Sequence, residues 1–310
     1  MNFKNTWLRK LENIFALLFF LIPGISLAKT VDDSTIPPGY SLVWSDEFNQ
    51  GVMGRADDNV WNYELGRNSH GNNELETYTD DTANVAIHLD PGATDNKVLA
   101  ITAYQSGPGY TSGRIDTRKH KSFQYGYIEA RIQIPYGQGI WPAFWMIGDN
   151  GLGWPKCGEI DIMENIGKDK DMGTCHGSMH GPGYSGGQCL TGHYVLPDGK
   201  KLKDGYHIFA VLWEKDSVQF YSDGQLYETR TPADLPAGTE WVYNHSFFII
   251  LNLAIGGYWP GNPDGTTLFP QTMKVDYVRV YQKPSETNLI STVSQAPQEG
   301  TPAPAAKAAP

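Results

Sequence analysis

GEIDIMENIG, residues 158–167, alternates acids with isoleucines and has a glycine at each end. Alternation is the period of a β-strand, whose successive side chains point to opposite faces. On a plain strand Glu159 and Asp161 would share one face, and Glu164 would fall on the other. On a helix, at roughly 100° per residue, Glu159 and Glu164 would point about 140° apart. Neither regular element brings the three acids together.

One extra residue in the strand would bring them together. A β-bulge at Ile162-Met163 returns Glu164 to the face of Glu159, and bulges recur beside active sites, where they re-aim side chains. Ile160 would then point into the core. The spacing of two and then three residues therefore predicts a bulged strand that projects three carboxylates into one cleft.

Two carboxylates on one side of a sugar ring are the groups that glycoside hydrolysis requires. Retaining enzymes hold them about 5–5.5 Å apart, one as nucleophile and one as acid/base. Crowding has a use there, because neighbouring negative charge favours the protonated form of a carboxyl group and keeps the acid loaded. A solvated acidic strand face and a cation site are the two plainer interpretations, and residues 158–167 alone leave all three open.

Alternating apolar and polar residues recur along the chain, whereas convincing helical periodicity is not found after the first 28 residues. Three alternating stretches are YIEARIQI (127–134), VQFYSDGQLYET (218–229) and VDYVRVYQ (275–282). Asp223-Gly224 is a strong two-residue hairpin signal. The apolar run HSFFIILNLAIGG (245–257) predicts a strand covered on both faces. Many short strands separated by turn residues predict an all-β sandwich, in which a curved sheet would form a groove.

The charge of the chain excludes one class of partner. The 310 residues carry a formal net charge of −10. An acidic chain has no electrostatic reason to bind DNA or RNA, because affinity for their phosphates comes mainly from lysine and arginine.

The two ends of the chain differ from its middle. Residues 1–28 combine a positive start, a short apolar run and the small-x-small site Ser26-Leu27-Ala28, which is the pattern of a secretory signal peptide. Residues 284–310 are rich in Pro and Ala and predict a disordered tail or linker. Residues 31–283 are predicted to form one domain. We expect a secreted or periplasmic protein without stable membrane insertion; an uncleaved anchor is the minor alternative.

The three cysteines are Cys157, Cys175 and Cys189. In an exported protein they allow one disulfide and one free thiol, and their positions do not select the pair. They lack the CxxC spacing of metal sites, and His176 next to Cys175 is weak support for a reactive thiol.

The acidic strand resembles that of family 16 of the glycoside hydrolases, in the laminarinase-like endo-β-1,3-glucanase branch. Further motifs resemble that branch in the same order, over nearly all of residues 40–283. They are WSDEFN (44–49), GNNELETYT (71–79), SGRIDTR (112–118), GQGIWPAFWMIG (137–148), HGSMHGPGYSGG (176–187), GGYWPGNPDGTT (256–267) and FPQTMKVDYVRVY (269–281). The resemblance implies a β-jelly roll of two curved antiparallel sheets with a glycan-binding cleft on the concave face.

The resemblance implies a role for each acid. Glu159 matches the nucleophile, Asp161 the assisting acid and Glu164 the acid/base. Met163 is present here, whereas unbulged relatives that cut mixed-linkage glucans lack the extra residue. This favours the laminarinase-like branch.

The resemblance also implies a set of substrate-binding side chains: Asn72, Arg114, Trp141, Trp145, His180 and Trp259. Indole faces stack on sugar rings, and a few placed polar groups fix the hydroxyls. Trp154 and Trp259 are weaker candidates, Trp154 because its loop is Gly-rich. Glu76 stands where glutamine is more frequent in the family, which leaves the nearby subsite open.

A structural calcium ion on the convex face is a further implication of the resemblance. Glu47 and Asp276 match its carboxylate ligands, and a backbone carbonyl near Asn96 would complete the set. Calcium prefers oxygen ligands of this kind. The resemblance implies no organic cofactor for catalysis.

The resemblance predicts a secreted, retaining endo-β-1,3-glucanase that acts as a monomer on β-glucan polysaccharide. The nearest alternative is a mixed-linkage β-1,3-1,4-glucanase or a transglycosylase that uses the same site. A non-catalytic β-glucan-binding protein is a second alternative. The presence of all three acids argues against it.

Overall fold

The computed structural model describes residues 36–67 and 69–284, and within them the chain is built almost entirely of strands. The seventeen strands are β1 (Ser41–Asp46), β2 (Asn62–Tyr63), β3 (Glu76–Tyr78), β4 (Val85–Leu89), β5 (Lys97–Ser106), β6 (Gly109–Ser112), β7 (Arg114–Asp116), β8 (Gly126–Gln133), β9 (Ile140–Gly148), β10 (Glu159–Glu164), β11 (Thr174–His180), β12 (Leu190–Val195), β13 (His207–Glu214), β14 (Ser217–Ser222), β15 (Gln225–Arg230), β16 (Phe247–Ile255) and β17 (Gln271–Gln282). The helices of the described residues are single 3-10 turns at Ser69–Gly71, Asp169–Asp171, Gly186–Gln188, Pro197–Gly199, Leu202–Asp204 and Pro232–Asp234. None of these turns is long and apolar enough to span a bilayer.

The strands form two sheets. The larger has ten strands in the order β15-β14-β13-β8-β17-β5-β6-β3, with β1 beside β17 and β4 beside β5. The smaller has seven in the order β12-β11-β10-β9-β16-β7-β2 and is antiparallel throughout. This two-sheet architecture confirms the expected jelly-roll sandwich.

The predicted strand patterns are confirmed. The two-residue loop Asp223-Gly224 joins β14 to β15, and both residues have positive φ, at 48° and 74°. This is the backbone of a type I′ hairpin turn. Strand β16 is buried along its whole length, as the apolar run 245–257 predicts.

The hydrophobic core lies between the two sheets, and β10 shows how it forms. Ile160, Ile162 and Met163 are fully buried in the main core cluster. The acids of the same strand point away from that cluster and line a cleft on the other face of the seven-stranded sheet. Since the apolar side chains fix which face of β10 is inside, they also fix where the acids point.

The bulge is where the spacing predicts it. Between Asp161 and Glu164, the pair Ile162-Met163 lies opposite the single residue Gly177 of β11. The register with β9 shifts at the same point, between Asp161 and Met163. The extra residue returns Glu164 to the cleft face, so this prediction is confirmed.

Two predicted segments lie wholly or almost wholly outside the described residues: the signal peptide at 1–28 and the tail at 284–310, of which only Pro284 is included. The cysteines are all described, and Cys157, Cys175 and Cys189 are free thiols in the structure. Burial raises the pKa of Cys157 to about 11, so this thiol stays protonated near neutral pH.

Candidate active site

Three buried acids stand along β10 at the floor of the cleft. Their exposed fractions are 4% for Glu159, 2% for Asp161 and 6% for Glu164. Buried carboxylates are costly unless other groups donate hydrogen bonds to them. Indole and imidazole groups lie against these three acids.

The indole of Trp154 holds the first acid. Its Nε1 donates a hydrogen bond of 2.7 Å to Oε2 of Glu159. Trp154 belongs to the loop between β9 and β10, so the chain supplies this donor five residues before the acid that it orients. Trp154, a weaker candidate on sequence grounds, is thus in direct contact with a carboxylate of the cleft.

His180 serves the first two acids together. Its Nδ1 accepts the backbone N–H of Gly186 at 3.1 Å, which places the ring proton on Nε2. Nε2 lies 3.0 Å from Oδ2 of Asp161 and 3.6 Å from Oε1 of Glu159. Glu159, Asp161 and His180 are close enough to surround a metal ion, with ligand atoms within 4.8 Å of one another. However, a protonated Nε2 has no lone pair for a metal, so the arrangement fits a close polar contact between the imidazole and the two carboxylates.

The third acid has its own indole donor. Nε1 of Trp141 donates to Oε1 of Glu164 at 3.0 Å. Trp141 packs edge-on against Trp259, and Trp259 packs edge-on against His176, with ring centroids 5.6 and 5.1 Å apart. Burial lowers the pKa of His176, so this ring is neutral at neutral pH.

The cleft consists of two adjoining cavities, and Glu164 lies where they meet. The first cavity contains Glu159 and Asp161 and is also lined by Arg114, Trp145 and Trp154. The second cavity is lined by Ser178, His180, Tyr258 and Trp259, among others. Asn72, Trp141 and Glu164 line both. A chain of sugars that occupied both cavities would pass directly over Glu164.

A buried charge network forms one wall of the first cavity. Nε of Arg114 lies 2.8 Å from Oε2 of Glu64, and Nε2 of His70 lies 3.3 Å from Oε1 of the same carboxylate. Burial and the Arg114 charge lower the pKa of His70 to about 3, so His70 is neutral at neutral pH. Burial alone would lower the pKa of Arg114, but Glu64 and other nearby groups raise it on balance. The guanidinium is thus a permanent cation at the wall of the cavity.

Arg114 and Trp145 form one unit. The guanidinium carbon lies 4.8 Å from the centre of the Trp145 ring, and Trp145 Nε1 donates to Oδ1 of Asn252 at 2.7 Å. The hydrogen bond and the cation–π contact together fix the plane of the indole. A fixed indole face can stack against a sugar ring without first losing rotational freedom.

The structure brings all the sequence-predicted substrate-binding residues into the two cavities. Sequence reasoning missed several residues that line the first cavity: Glu64, His70, Glu74 and Asn252. Asn252 had a signal, because it is the only polar residue inside the apolar run of β16. Glu64 and His70 had none, because their importance comes from Arg114, which is far away in the chain.

The residues predicted to bind calcium have other partners. Both carboxylate oxygens of Glu47 bond to Arg279, at 2.9 and 2.8 Å. Asp276 pairs with Arg131 and accepts the N–H of Thr94 at 3.0 Å. The carbonyl of Asn96 accepts the amide of Asp90. Arginines already neutralise these carboxylates, and a dication would have to displace them. As they stand, the residues do not fit the ligand set of calcium. Calcium binding here stays an untested prediction.

Comparison with known proteins decides the family. The family model for glycosyl hydrolases family 16 matches residues 68–279. The chain belongs to glycosyl hydrolase family 16. As a family 16 hydrolase it is an enzyme that cleaves glycosidic bonds, and the two-sheet fold agrees with this membership.

Individual relatives of this family 16 hydrolase are also similar along most of the chain. The laminarinase catalytic domain from Thermotoga maritima is 46% identical, with a TM-score of 0.69 over 78% of this chain and 98% of that one. A "Beta-glucanase" of Rhodothermus marinus is 33% identical over 89% of this chain and 96% of its own length. "Glucan endo-1,3-beta-glucosidase A1" of Niallia circulans is 34% identical over 79% of this chain, which spans only 38% of that protein.

Proposed function

We propose that this family 16 hydrolase is a secreted endo-β-1,3-glucanase that cleaves with retention of configuration. One observation carries the proposal: the bulge in β10 places Glu159, Asp161 and Glu164 on one face, beside one cleft. The names of the relatives support a β-1,3-glucan as substrate. The length of the cleft, with a cavity on each side of Glu164, supports cleavage inside a polymer.

The first step forms a covalent glycosyl-enzyme. Glu159 attacks the anomeric carbon of a sugar in the first cavity while Glu164 gives its proton to the departing glycosidic oxygen. The Trp154 N–H on Oε2 of Glu159 keeps the carboxylate turned toward the sugar. Trp141 does the same for Glu164, and as a neutral donor it can hold that carboxyl group with or without its proton.

The second step releases the sugar. Once the leaving chain departs from the second cavity, water enters there, and Glu164 removes its proton as the water attacks the glycosyl-enzyme. Asp161 has the assisting role. Nε2 of His180 lies close to both Asp161 and Glu159, so a change of charge on Glu159 alters the electrostatic field at Asp161.

Substrate binding divides between the two cavities. In the first cavity the Trp145 face and the Arg114 guanidinium would hold the sugars whose reducing end is attacked. In the second cavity Trp259 and Tyr258, which are 39% and 65% exposed, would contact the leaving chain. Exposed aromatic rings beside an open cavity suit sugar faces, which are partly apolar.

Three further proposals rest on sequence alone. Residues 1–28 direct export and are removed, the mature protein acts as a monomer, and it does not insert stably into a membrane. The positive start, the short apolar run and the site Ser26-Leu27-Ala28 support the first of these.

The proposed substrate is tested by incubating the purified protein with a panel of β-glucans and identifying the early products. We expect soluble β-1,3-linked oligosaccharides of several lengths from a β-1,3-glucan within the first turnovers. Faster cleavage of a mixed-linkage β-1,3-1,4-glucan would favour that alternative, and release of glucose alone would contradict endo action. Binding without any product would identify a glucan-binding protein.

A further inference from the structure

Two carboxyl groups face each other at the wall of the first cavity, which Glu74 lines. Glu76, the first residue of β3, is 2% exposed, and Glu74 is 5% exposed. The two side chains are within hydrogen-bonding distance. Two ionised carboxylates cannot remain in such contact away from water, so the pair must share a proton.

The remaining contacts show which group holds that proton. Oε1 of Glu74 accepts a hydrogen bond from Nδ2 of Asn72 at 3.0 Å, and the charge of Glu74 acts on Arg114 at the cavity wall. The nearby Arg114 cation favours the ionised form of Glu74, whereas the neutral Asn72 donor fits either form. Glu76 uses Oε2 to accept the N–H of Ile255 at 2.6 Å, and its other oxygen is left to carry the proton and donate it to Glu74.

The pair lies where two segments of the cleft are joined. The N–H of Leu75 donates to the carbonyl of Ile255 at 2.8 Å, and the N–H of Tyr258 donates to the carbonyl of Asn72 at 2.9 Å. Residue Glu74 also forms an antiparallel bridge with Gly256. Segment 72–76 and segment 255–259 are therefore fastened together, and between them they carry Asn72 and Trp259 into the cleft beside Glu164.

We propose that Glu76 is a positioning residue, whose shared proton with Glu74 keeps Asn72 and the 255–259 segment in place for binding the glucan. Ionisation of Glu76 would put two negative charges in contact within segment 72–76 and displace Glu74, which holds the amide of Asn72 and lies beside Gly256 of the other segment. The cleft would then bind substrate more weakly, while Glu159 and Glu164 would keep their own donors. Glu76 thus links substrate affinity to pH.

The groups around the pair make Glu76 the one that titrates. Burial, and then the neighbouring Glu74, raise the pKa of Glu76 well above its ordinary value. Burial, and then Glu76 and Glu74, raise the pKa of Tyr78 well above its own ordinary value, so Tyr78 stays neutral. Arg114 stays charged, and it is paired with Glu64, whose other neighbour His70 is neutral.

The sign of the effect follows from the direction of the shift. A carboxyl group whose pKa is raised by folding contributes its full stability below its unfolded pKa and loses it as the pH rises through its folded pKa. The wild-type protein should therefore lose both affinity and thermal stability as pH rises. In Glu76→Gln the amide donates permanently to Glu74 and still accepts the N–H of Ile255, so this loss should disappear.

The test measures KM, kcat and Tm from about pH 5 to about pH 9 for wild type, Glu76→Gln and Glu76→Ala. We expect equal KM for wild type and Glu76→Gln at the acid end, and at least about a threefold lower KM for Glu76→Gln at the alkaline end. The alkaline fall of kcat should be unchanged, since it reports Glu164. Glu76→Ala should raise KM at every pH.

Glu228→Gln is the matched control, because burial also raises the pKa of Glu228, which lies on β15 and pairs with Arg230. It should leave the dependence of KM on pH as in wild type. If Glu76→Gln folds poorly, Glu74→Gln removes the same repulsion and should also abolish the rise of KM with pH. Parallel KM profiles in wild type, Glu76→Gln and Glu74→Gln would overturn the proposal.

The inference rests on the proposed function only for the substrate used to measure KM. The dependence of Tm on pH needs no substrate, so it tests the carboxyl pair even if β-1,3-glucan proves to be the wrong polymer. A Tm difference between wild type and Glu76→Gln that did not change with pH would contradict the shared proton. If this Tm difference changed with pH but the protein did not hydrolyse β-1,3-glucan, the proposed function alone would be contradicted.

Discussion

Buried acids occur in both sheets of this hydrolase, but their partners differ. In the seven-stranded sheet, Glu159 and Glu164 receive hydrogen bonds from the indoles of Trp154 and Trp141. These donors are neutral at every pH that the protein meets, and they can hold a carboxyl group in either protonation state.

Two buried acids of the ten-stranded sheet have arginine partners instead. Asp276 on β17 pairs with Arg131 on β8, and Glu228 pairs with Arg230 on β15. An arginine is always charged and favours the ionised carboxylate. All four of these carboxyl groups are buried. The charge of the partner separates an acid that can exchange a proton from one that only stabilises the fold.

The largest difference between the two regions should appear when the acids are removed. Glu159→Ala and Glu164→Ala should each lower kcat by about 10³-fold or more, because each removes a group that reacts with the substrate. Glu47→Ala, which breaks the pair with Arg279, should keep kcat near that of wild type. Steady-state kinetics on a β-1,3-glucan measures all three.

Azide distinguishes the two catalytic roles in these variants. With an activated substrate, azide should give an α-glycosyl azide from Glu159→Ala and a β-glycosyl azide from Glu164→Ala. More than a tenth of wild-type activity in either variant would contradict the assignment. So would the same azide product from both.

Breaking a buried arginine pair should affect stability instead of catalysis. Asp276 is fully buried, and Asp276→Asn leaves Arg131 without its counter-charge. We expect a loss of about 3 kcal/mol in the free energy of unfolding. At about 2–4 °C per kcal/mol this lowers Tm clearly. Thermal denaturation measures it, and the comparison fails if the folded variant loses turnover at room temperature.

The smallest effect should come from the indole donors. Trp154→Phe keeps an aromatic ring but removes the N–H on Glu159, and we expect kcat to fall about tenfold, since a hydrogen bond to a charged group contributes about 1.5–3 kcal/mol. Trp213→Phe is the control, because Nε1 of Trp213 donates to the backbone carbonyl of Tyr243 in the core. It should lower Tm and leave kcat unchanged. Equal kcat in the two variants would contradict a role of the Trp154 N–H in catalysis.

The sequence alone predicted those features of the fold that depend on residues close together in the chain. The alternation of acids and isoleucines, together with the need to bring Glu164 back to one face, located the bulge at Ile162-Met163. Asp223-Gly224 located the β14–β15 hairpin because few residues tolerate positive φ at both positions. These features depend on residues that are close together in the chain, and strand periodicity predicts which face each of them occupies.

The sequence was insufficient where partners come from distant strands. Arg131 lies beside Asp276 only because β8 and β17 pair in one register. The same holds for Glu64 and Arg114, which meet across the wall of the cavity. Without those registers, Asp276 and Glu47 look like free oxygen ligands, which is why the calcium set fits the sequence better than it fits the structure.

The most direct test of the central claim is the anomeric configuration of the first product. If the bulge places Glu159 and Glu164 on one face at the short separation of a double displacement, no water fits between Glu159 and the anomeric carbon. NMR of the anomeric protons in the first minutes of hydrolysis of a β-1,3-glucan should show the β anomer, which later relaxes by mutarotation. An α anomer as first product would contradict the roles assigned to both acids.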